Sequence, residues 1–225
     1  KGIVVTNNHV IESAKMIEVV LWDASVLSAE VLGGDPDSDL AALRVEAKEH
    51  ILRSLRLGDS DSLAVGQRAV AIGNPFGWHG TLTSGIISGL GRTLRLGHAS
   101  ERVSSRFSIP EMIQTDAAIT FGNSGGPLLD SAGRVIGVNT AMNSVTGATA
   151  GVGFAIPINI VKRVLPELVE KGYYAYPWLG ISGSDLRPIH VEAMNLPVDR
   201  GAIIITTTEG GPAAEAGLRG ATETI

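Results

Sequence analysis

Hydrophobic positions along the first 145 or so residues fall in short runs, not in long periodic stretches. Runs at 2–6, 16–21, 26–32, 40–45, 68–72, 81–88 and 135–140 are rich in Val, Ile, Leu and Thr, side chains that fit a pleated, half-buried surface. Between them stand turn signals such as Gly33-Gly34-Asp35-Pro36-Asp37, Gly73-Asn74-Pro75-Phe76-Gly77 and Asp130-Ser131-Ala132-Gly133. Ser60-Asp61-Ser62 marks a further turn, ahead of Leu63 and Val65 and another strand. Many short strands at this spacing predict a sandwich or a barrel.

The period then changes. Within 157–172 the apolar residues Ile160, Val161, Val164, Leu165, Leu168 and Val169 recur at three and four, with Pro157 suited to a first turn and Gly172 to a stop. This predicts a helix. Residues 173–177 read as a linker, short strands resume at 179–182 and 202–207, and 212–217 is a short helix. The domain boundary falls near residue 175, giving domains over 1–175 and 176–225. Two stretches fit neither period: 93–110 is polar and long for a loop, a length that usually signals function, and 143–151 is rich in Gly, Ala, Ser and Thr.

Composition narrows the picture. Hydrophobic residues make up 44% and charged residues 18%, a balance that supports a packed core and excludes global disorder. The 28 glycines in 225 residues, against a usual share of roughly 7%, agree with tight turns between short strands. Aromatics are only 4%, so the core must be Val, Ile, Leu and Ala. A net charge of −5 without a basic cluster argues against nucleic acid as a partner. Absence of cysteine excludes a disulfide framework, a thiolate metal site and a cysteine nucleophile. No apolar run reaches the roughly 18 residues of a membrane span. Lys1 leads straight into a strand-like run with no initiator Met or signal peptide, and 221–225 end without a terminating element. Both ends therefore read as interior to a longer protein, with strands expected before residue 1 and after residue 225.

Three local patterns carry chemistry. Thr6-Asn7-Asn8-His9-Val10 sets a histidine just past a strand end, Asp37-Ser38-Asp39-Leu40-Ala41 opens an apolar strand with acids, and Phe121-Gly122-Asn123-Ser124-Gly125-Gly126-Pro127 embeds a serine in glycines. A nucleophilic serine needs backbone N–H groups beside it to receive an oxyanion, and glycines let the backbone turn tightly enough to present them. That hole, with Asn123 counted among its residues, would be formed by the amides of Gly122 and Ser124. Its hydroxyl needs a base, for which His9 is placed, and the base needs an acid to orient it. Asp39 is one candidate beside Asp35, Asp37, Asp59 and Asp61, of which Asp35 and Asp37 read as an exposed turn. His50, His79, His98 and His190 read as structural, as does Asp116. The glycine-serine run is not read as the elbow of α/β-hydrolases, because the surrounding β pattern lacks the alternating helices of that fold.

Together with Ala71-Ile72-Gly73-Asn74-Pro75-Phe76-Gly77, Gln114-Thr115-Asp116-Ala117-Ala118-Ile119 and Gly153-Phe154-Ala155-Ile156-Pro157, these patterns resemble the HtrA/Deg family of chymotrypsin-type serine proteases across residues 2–181. The resemblance selects Asp39 and implies a catalytic triad of His9, Asp39 and Ser124. It implies a mainly β fold: a trypsin-like double β-barrel with a C-terminal helix, followed by a partial PDZ domain. Asn139, Thr140, Ala141 and Met142 resemble the strand that pairs with an extended substrate, while Ile119 and Thr140 would flank the primary specificity pocket. No Asp stands just before Gly122, so a pocket for small aliphatic side chains is expected rather than one for Lys or Arg. Trp178, Leu179, Gly180 and Ile181 resemble the loop with which a PDZ domain holds the C-terminus of a peptide, and Gly210–Leu218 fits a PDZ helix and turn.

The family further implies an ATP-independent endopeptidase of protein quality control. It would act on unfolded or misfolded proteins or peptides in an extracytoplasmic setting, such as a bacterial periplasm or envelope, either free or anchored by residues outside this sequence. C-terminal peptides would be partners at the PDZ domain, assembly would be a homotrimer or larger, and 93–110 would be the regulatory sensor loop. The chemistry needs no metal or organic cofactor. A holdase-type chaperone or peptide-binding module with an inactive site is the alternative, and a non-proteolytic serine hydrolase is disfavoured by the β pattern.

Overall fold

The computed structural model describes residues 2–47, 52–75, 80–95, 108–140 and 151–220. The protein divides into two compact units, Lys1–Tyr174 and Ala175–Ile225.

In the first unit, strands β1 (Ile3–Thr6), β2 (Glu18–Val20), β3 (Val26–Asp35) and β4 (Leu40–Val45) form an antiparallel sheet in the order β1-β4-β3-β2. A single helical turn, α1 (Asn8–Ile11), follows β1. Strand β4 is buried on both faces, with Leu40, Ala41, Ala42 and Leu43 no more than 3% exposed. The described residues of this half form an open sheet with β1 and β2 at its edges, as expected of a first barrel without its first strands.

The other half does close. Strands β5 (Arg68–Gly73), β6 (Thr81–Arg95), β7 (Ser108–Thr115), β8 (Pro127–Leu129), β9 (Val135–Thr140) and β10 (Gly153–Pro157) form a barrel in the order β10-β7-β6-β5-β8-β9. Ala69, Ala71, Ile87, Ile113, Leu128, Ile136 and Ala155 are among the side chains of one buried cluster in this half. Aliphatic residues fill it, as the scarcity of aromatics requires.

Helix α2 (Ile158–Lys171) runs straight on from β10 and buries Ile158, Ile160, Val161, Val164 and Leu168. These residues join Leu40 and Ala42 of the sheet and Val138 and Ile156 of the barrel in a second core. The helix thereby welds sheet and barrel into one body. Gly172 ends it in the left-handed conformation (φ 84°), its N–H donating to the Leu168 carbonyl at 3.1 Å, the favoured way to satisfy a terminal carbonyl. Strand β3 approaches this end so closely that a Cβ on Gly33 would lie 2.7 Å from the Leu168 oxygen. Pro157 is the last residue of β10, paired with Gly137, and not in the first helical turn as its position suggested.

Two elements depart further from the expected pattern. Strand β6 continues to Arg95 and β7 begins at Ser108, so the outer parts of the polar stretch 93–110 are strand; its middle lies outside the described residues. The hydrophobic pattern hid this pair because register shifts at Ile87/Gly89, Gly89/Arg92 and Arg92/Leu94 break the alternation. Each bulge inserts a residue and resets which face is inside.

The second unit is slight. Strands β11 (Ile181–Asp185) and β12 (Ala202–Thr207) pair antiparallel, with α3 (Pro188–Ala193) between them and α4 (Pro212–Glu215) after them. Among its described residues the buried apolar side chain is Ala213. Leu179 and Gly180 lead into β11, their carbonyls accepting from the N–H groups of Ala213 and Thr208 at 3.0 and 2.8 Å. Trp178 and Leu179 are each more than half exposed.

Candidate active site

Strand register brings His9 and Asp39 together. Thr6 at the end of β1 faces Ala41 near the start of β4, so the residues just beyond Thr6 and just before Ala41 must meet. Asp39 sits there, 2% exposed and with a left-handed backbone (φ 55°), which aspartate tolerates better than most residues at a cost of order 1 kcal/mol. Its carbonyl accepts from Asn7 Nδ2 at 3.0 Å and from the Asn8 N–H at 3.1 Å. Its carboxylate accepts from the His9 backbone N–H at 3.0 Å and from Thr140 Oγ1 at 3.1 Å.

The remaining partner of that carboxylate is the His9 ring, whose Nδ1 lies 2.9 and 2.8 Å from its two oxygens. A buried carboxylate with this many donors is satisfied. Facing an acceptor, Nδ1 carries the proton, and Nε2 is left as the base. The hydrogen bond to Asp39 raises the His9 pKa above the ordinary 6.5, opposed by burial and helped by the charges of Asp39 and Glu12.

Ser124 sits half-buried on a turn before β8. The turn is tied from within by the Asn123 N–H to the Thr120 carbonyl and the Gly126 N–H to the Asn123 carbonyl, both at 3.0 Å. It is tied outward by Asn123 Nδ2 to the Ala118 carbonyl at 3.1 Å. Gly122 and Gly125 both have positive φ (93° and 82°). At Gly125 glycine is obligatory for a second reason: a Cβ there would overlap Thr6 Oγ1 and stand 3.3 Å from the Asn7 nitrogen. The residue after Ser124 thus packs on Thr6 and Asn7, the segment that leads into His9.

The structure refines several expectations. Asn123 is not an oxyanion donor, since its N–H is spent on Thr120; the Gly122 and Ser124 amides remain the expected pair. Asn139 has a different task from pairing substrate. Its N–H donates to the Gly126 carbonyl at 2.8 Å and its carbonyl accepts from Gly125 at 3.0 Å, while Nδ2 reaches the carbonyls of Ile72 and Pro127. It clamps the serine turn to β5 and β8. Thr140 is 2% exposed and serves Asp39, and Ile119 is 5% exposed beside Gly153, where a Cβ would stand 3.0 Å from Ile119 Cδ1. Ala141 and Met142 lie outside the described residues, as do His50, His79 and His98.

Asp35, expected in an exposed turn, is 4% exposed and accepts from Asp37 and Ser38, organising the turn that delivers Asp39. Asp116 accepts from the Ile86 N–H at 2.6 Å and is structural. Sequence reasoning missed the parts played by Asn7 and Gly73. A signal for both was present, since each sits inside one of the quoted motifs. At Gly73 a Cβ would collide with the Asn123 side chain.

A sheet and a closed barrel welded by a C-terminal helix, with a carboxylate-bound histidine and a glycine-flanked serine turn packed on the segment before it, are features of the trypsin-like peptidase fold. Residues 1–138 match the trypsin-like peptidase domain family. The chain belongs to that family, and its relatives place it among the HtrA/Deg proteases. It is 43% identical over 219 residues to Protease Do-like 1, chloroplastic, of Arabidopsis thaliana, covering 97% of this chain and 47% of the relative. To the periplasmic serine endoprotease DegP of Escherichia coli K12 it is 42% identical over 219 residues, covering 97% and 44%. Among solved structures it resembles the HtrA-type protease AlgW with a decapeptide (TM-score 0.79, 39% identity, 97% of this chain and 64% of that one). The AlgW structure with a tripeptide gives TM-score 0.80 at 39% identity, covering 95% and 67%. The protein thus spans less than half the length of these curated relatives.

Proposed function

We propose that this protein is the catalytic part of an ATP-independent serine endopeptidase that cleaves unfolded or misfolded proteins through an acyl-enzyme. One observation carries the reading: the His9 Nδ1–Asp39 pair at 2.8 Å, braced by Thr140, beside a serine turn packed on Thr6 and Asn7. Ser124 Oγ attacks the scissile carbonyl while His9 Nε2 takes its proton, and Asp39 stabilises the imidazolium that forms. The amides of Gly122 and Ser124 receive the oxyanion. His9 then gives the proton to the departing amine, and a water activated by the same base releases the acyl group.

The expected preference for a small aliphatic side chain on the acyl side rests on the absence of an Asp just before Gly122 and on the apolar Ile119, buried against Gly153. The periplasmic relatives support an extracytoplasmic compartment; the resemblance to the HtrA/Deg family alone suggests a homotrimer or larger, regulation through 93–110, and binding of C-terminal peptides at Trp178–Ile181 by a PDZ domain of which residues 176–225 form part. The test is reaction with a fluorophosphonate serine probe. The parent protein is expected to label, and Ser124→Ala and His9→Ala to lose labelling. A folded parent that does not label overturns the reading in favour of a non-catalytic binding module.

A further inference from the structure

We infer that a cavity beside the serine turn is the subsite for an apolar side chain of the substrate on the leaving-group side of the scissile bond, with Trp22 as its main wall. The inference rests on the protease reading above. The cavity, of about 520 Å³, lies between Val20, Leu21, Trp22 and Ala24 of the β2–β3 turn and Asn74 and Gly80 beyond β5.

Position argues for the leaving-group side. In the barrel β8 lies between β9 and β5. Pro127 at the start of β8 pairs with Val138 near the end of β9, and the next residue, Leu128, pairs with Ala71 near the end of β5. Ser124, just ahead of β8, therefore sits between the end of β9 and the end of β5. The residues expected on the acyl side, Thr140 in β9 and Ile119 packed against Gly153 of β10, belong to the β9–β10 side. Asn74 belongs to the other, and its N–H donates to the Gly122 carbonyl at 2.9 Å. A peptide whose acyl part lies on the β9–β10 side and whose carbonyl faces Gly122 continues past Asn74 into this cavity.

Chemistry argues for an apolar occupant. Trp22 is 67% and Val20 48% exposed, large apolar groups left to water on a surface where a covering ligand would gain by burying them. The walls are also held still. Arg53 stacks its guanidinium 4.6 Å from the Trp22 ring centroid, a contact that orients the indole. The turn itself is closed by the Leu21 N–H to the Ser25 carbonyl at 2.9 Å, and Asp23 Oδ1 accepts from the Ser25 N–H at 3.1 Å. Ala24 takes a left-handed backbone there (φ 65°), a cost a non-glycine residue bears only where its surroundings impose it. Glu18, also in the lining, disfavours an acidic occupant.

Internally quenched peptides, identical on the acyl side and carrying Phe or Gly at the first few positions after the cleaved bond, test this. The parent is expected to prefer Phe by about tenfold in kcat/KM, a usual value for an apolar subsite. Trp22→Ala should bring that ratio close to one, while Trp22→Phe keeps most of it. The rate of fluorophosphonate labelling, which uses no leaving-group peptide, should be unchanged in both. A parent that labels but shows no preference, or an unchanged ratio in Trp22→Ala, overturns the subsite alone. Labelling lost in Trp22→Ala also overturns it, by making Trp22 structural. If the parent itself does not label, the protease reading fails and the subsite falls with it.

Discussion

At the scale of single residues, Asp39 connects the most. Its carbonyl holds Asn7 and Asn8, its carboxylate holds His9 and Thr140, and its backbone is strained to do both. Asp39→Asn should keep the fold and lower kcat by about 10⁴, as when a triad acid loses the ability to fix the tautomer. Because Asp39 raises the His9 pKa, the acid limb of the parent's rate profile should lie above pH 6.5 and move down in the variant; a pH–rate series on a small ester checks both. The same shift has a stability consequence. A histidine whose folded pKa is raised stabilises the fold fully below its unfolded pKa, and loses that contribution as pH rises through the folded value. Thermal unfolding of the parent and of His9→Gln should therefore differ most below about pH 6.5 and converge toward higher pH.

At the scale of elements, glycines mark where backbones touch. Gly125→Ala would force a Cβ into Thr6 at a positive φ. Probe labelling should be lost while circular dichroism stays that of the parent, since the clash is confined to the junction of the serine turn with the His9 segment. Helix α2 is the packing counterpart. Leu168 is fully buried where helix, sheet and barrel meet, and Leu168→Ala should cost about 2–5 kcal/mol in denaturant unfolding. This helix was legible in the sequence because its apolar stripe recurs at three and four, and its glycine stop because no other residue suits a left-handed cap so well. The pairing of β6 with β7 was not legible. Its register shifts at Ile87/Gly89, Gly89/Arg92 and Arg92/Leu94 are encoded in no local alternation.

At the scale of the whole molecule, the two units differ in how much core they own. Among the described residues, both apolar clusters lie in Lys1–Tyr174, whereas Ala213 is the buried apolar residue of Ala175–Ile225. A protein ended after Tyr174 should keep its unfolding midpoint within a few degrees and its rate of probe labelling. A large loss of either would show that the second unit supports the first.

Sequence alone determined the candidate chemistry of this protein. A histidine, an aspartate and a serine, proposed as base, acid and nucleophile, each sit in a motif whose neighbours have local work to do: glycines for a tight turn, a strand end before the histidine, a strand start after the aspartate. Those are short-range constraints, and they are written in adjacent residues. Tertiary structure decided which residues the chemistry leans on. Asn139 reads as a substrate contact from its motif, yet both its backbone groups are spent on the serine turn; Asp35 reads as exposed, yet it is buried to hold the Asp39 loop. Thr140 reaches Asp39 across 101 positions, and Asn74 reaches Gly122 across the gap between β5 and the serine turn. Partnerships of that length depend on the register of strands far apart in the sequence, and register is set by packing of the whole fold.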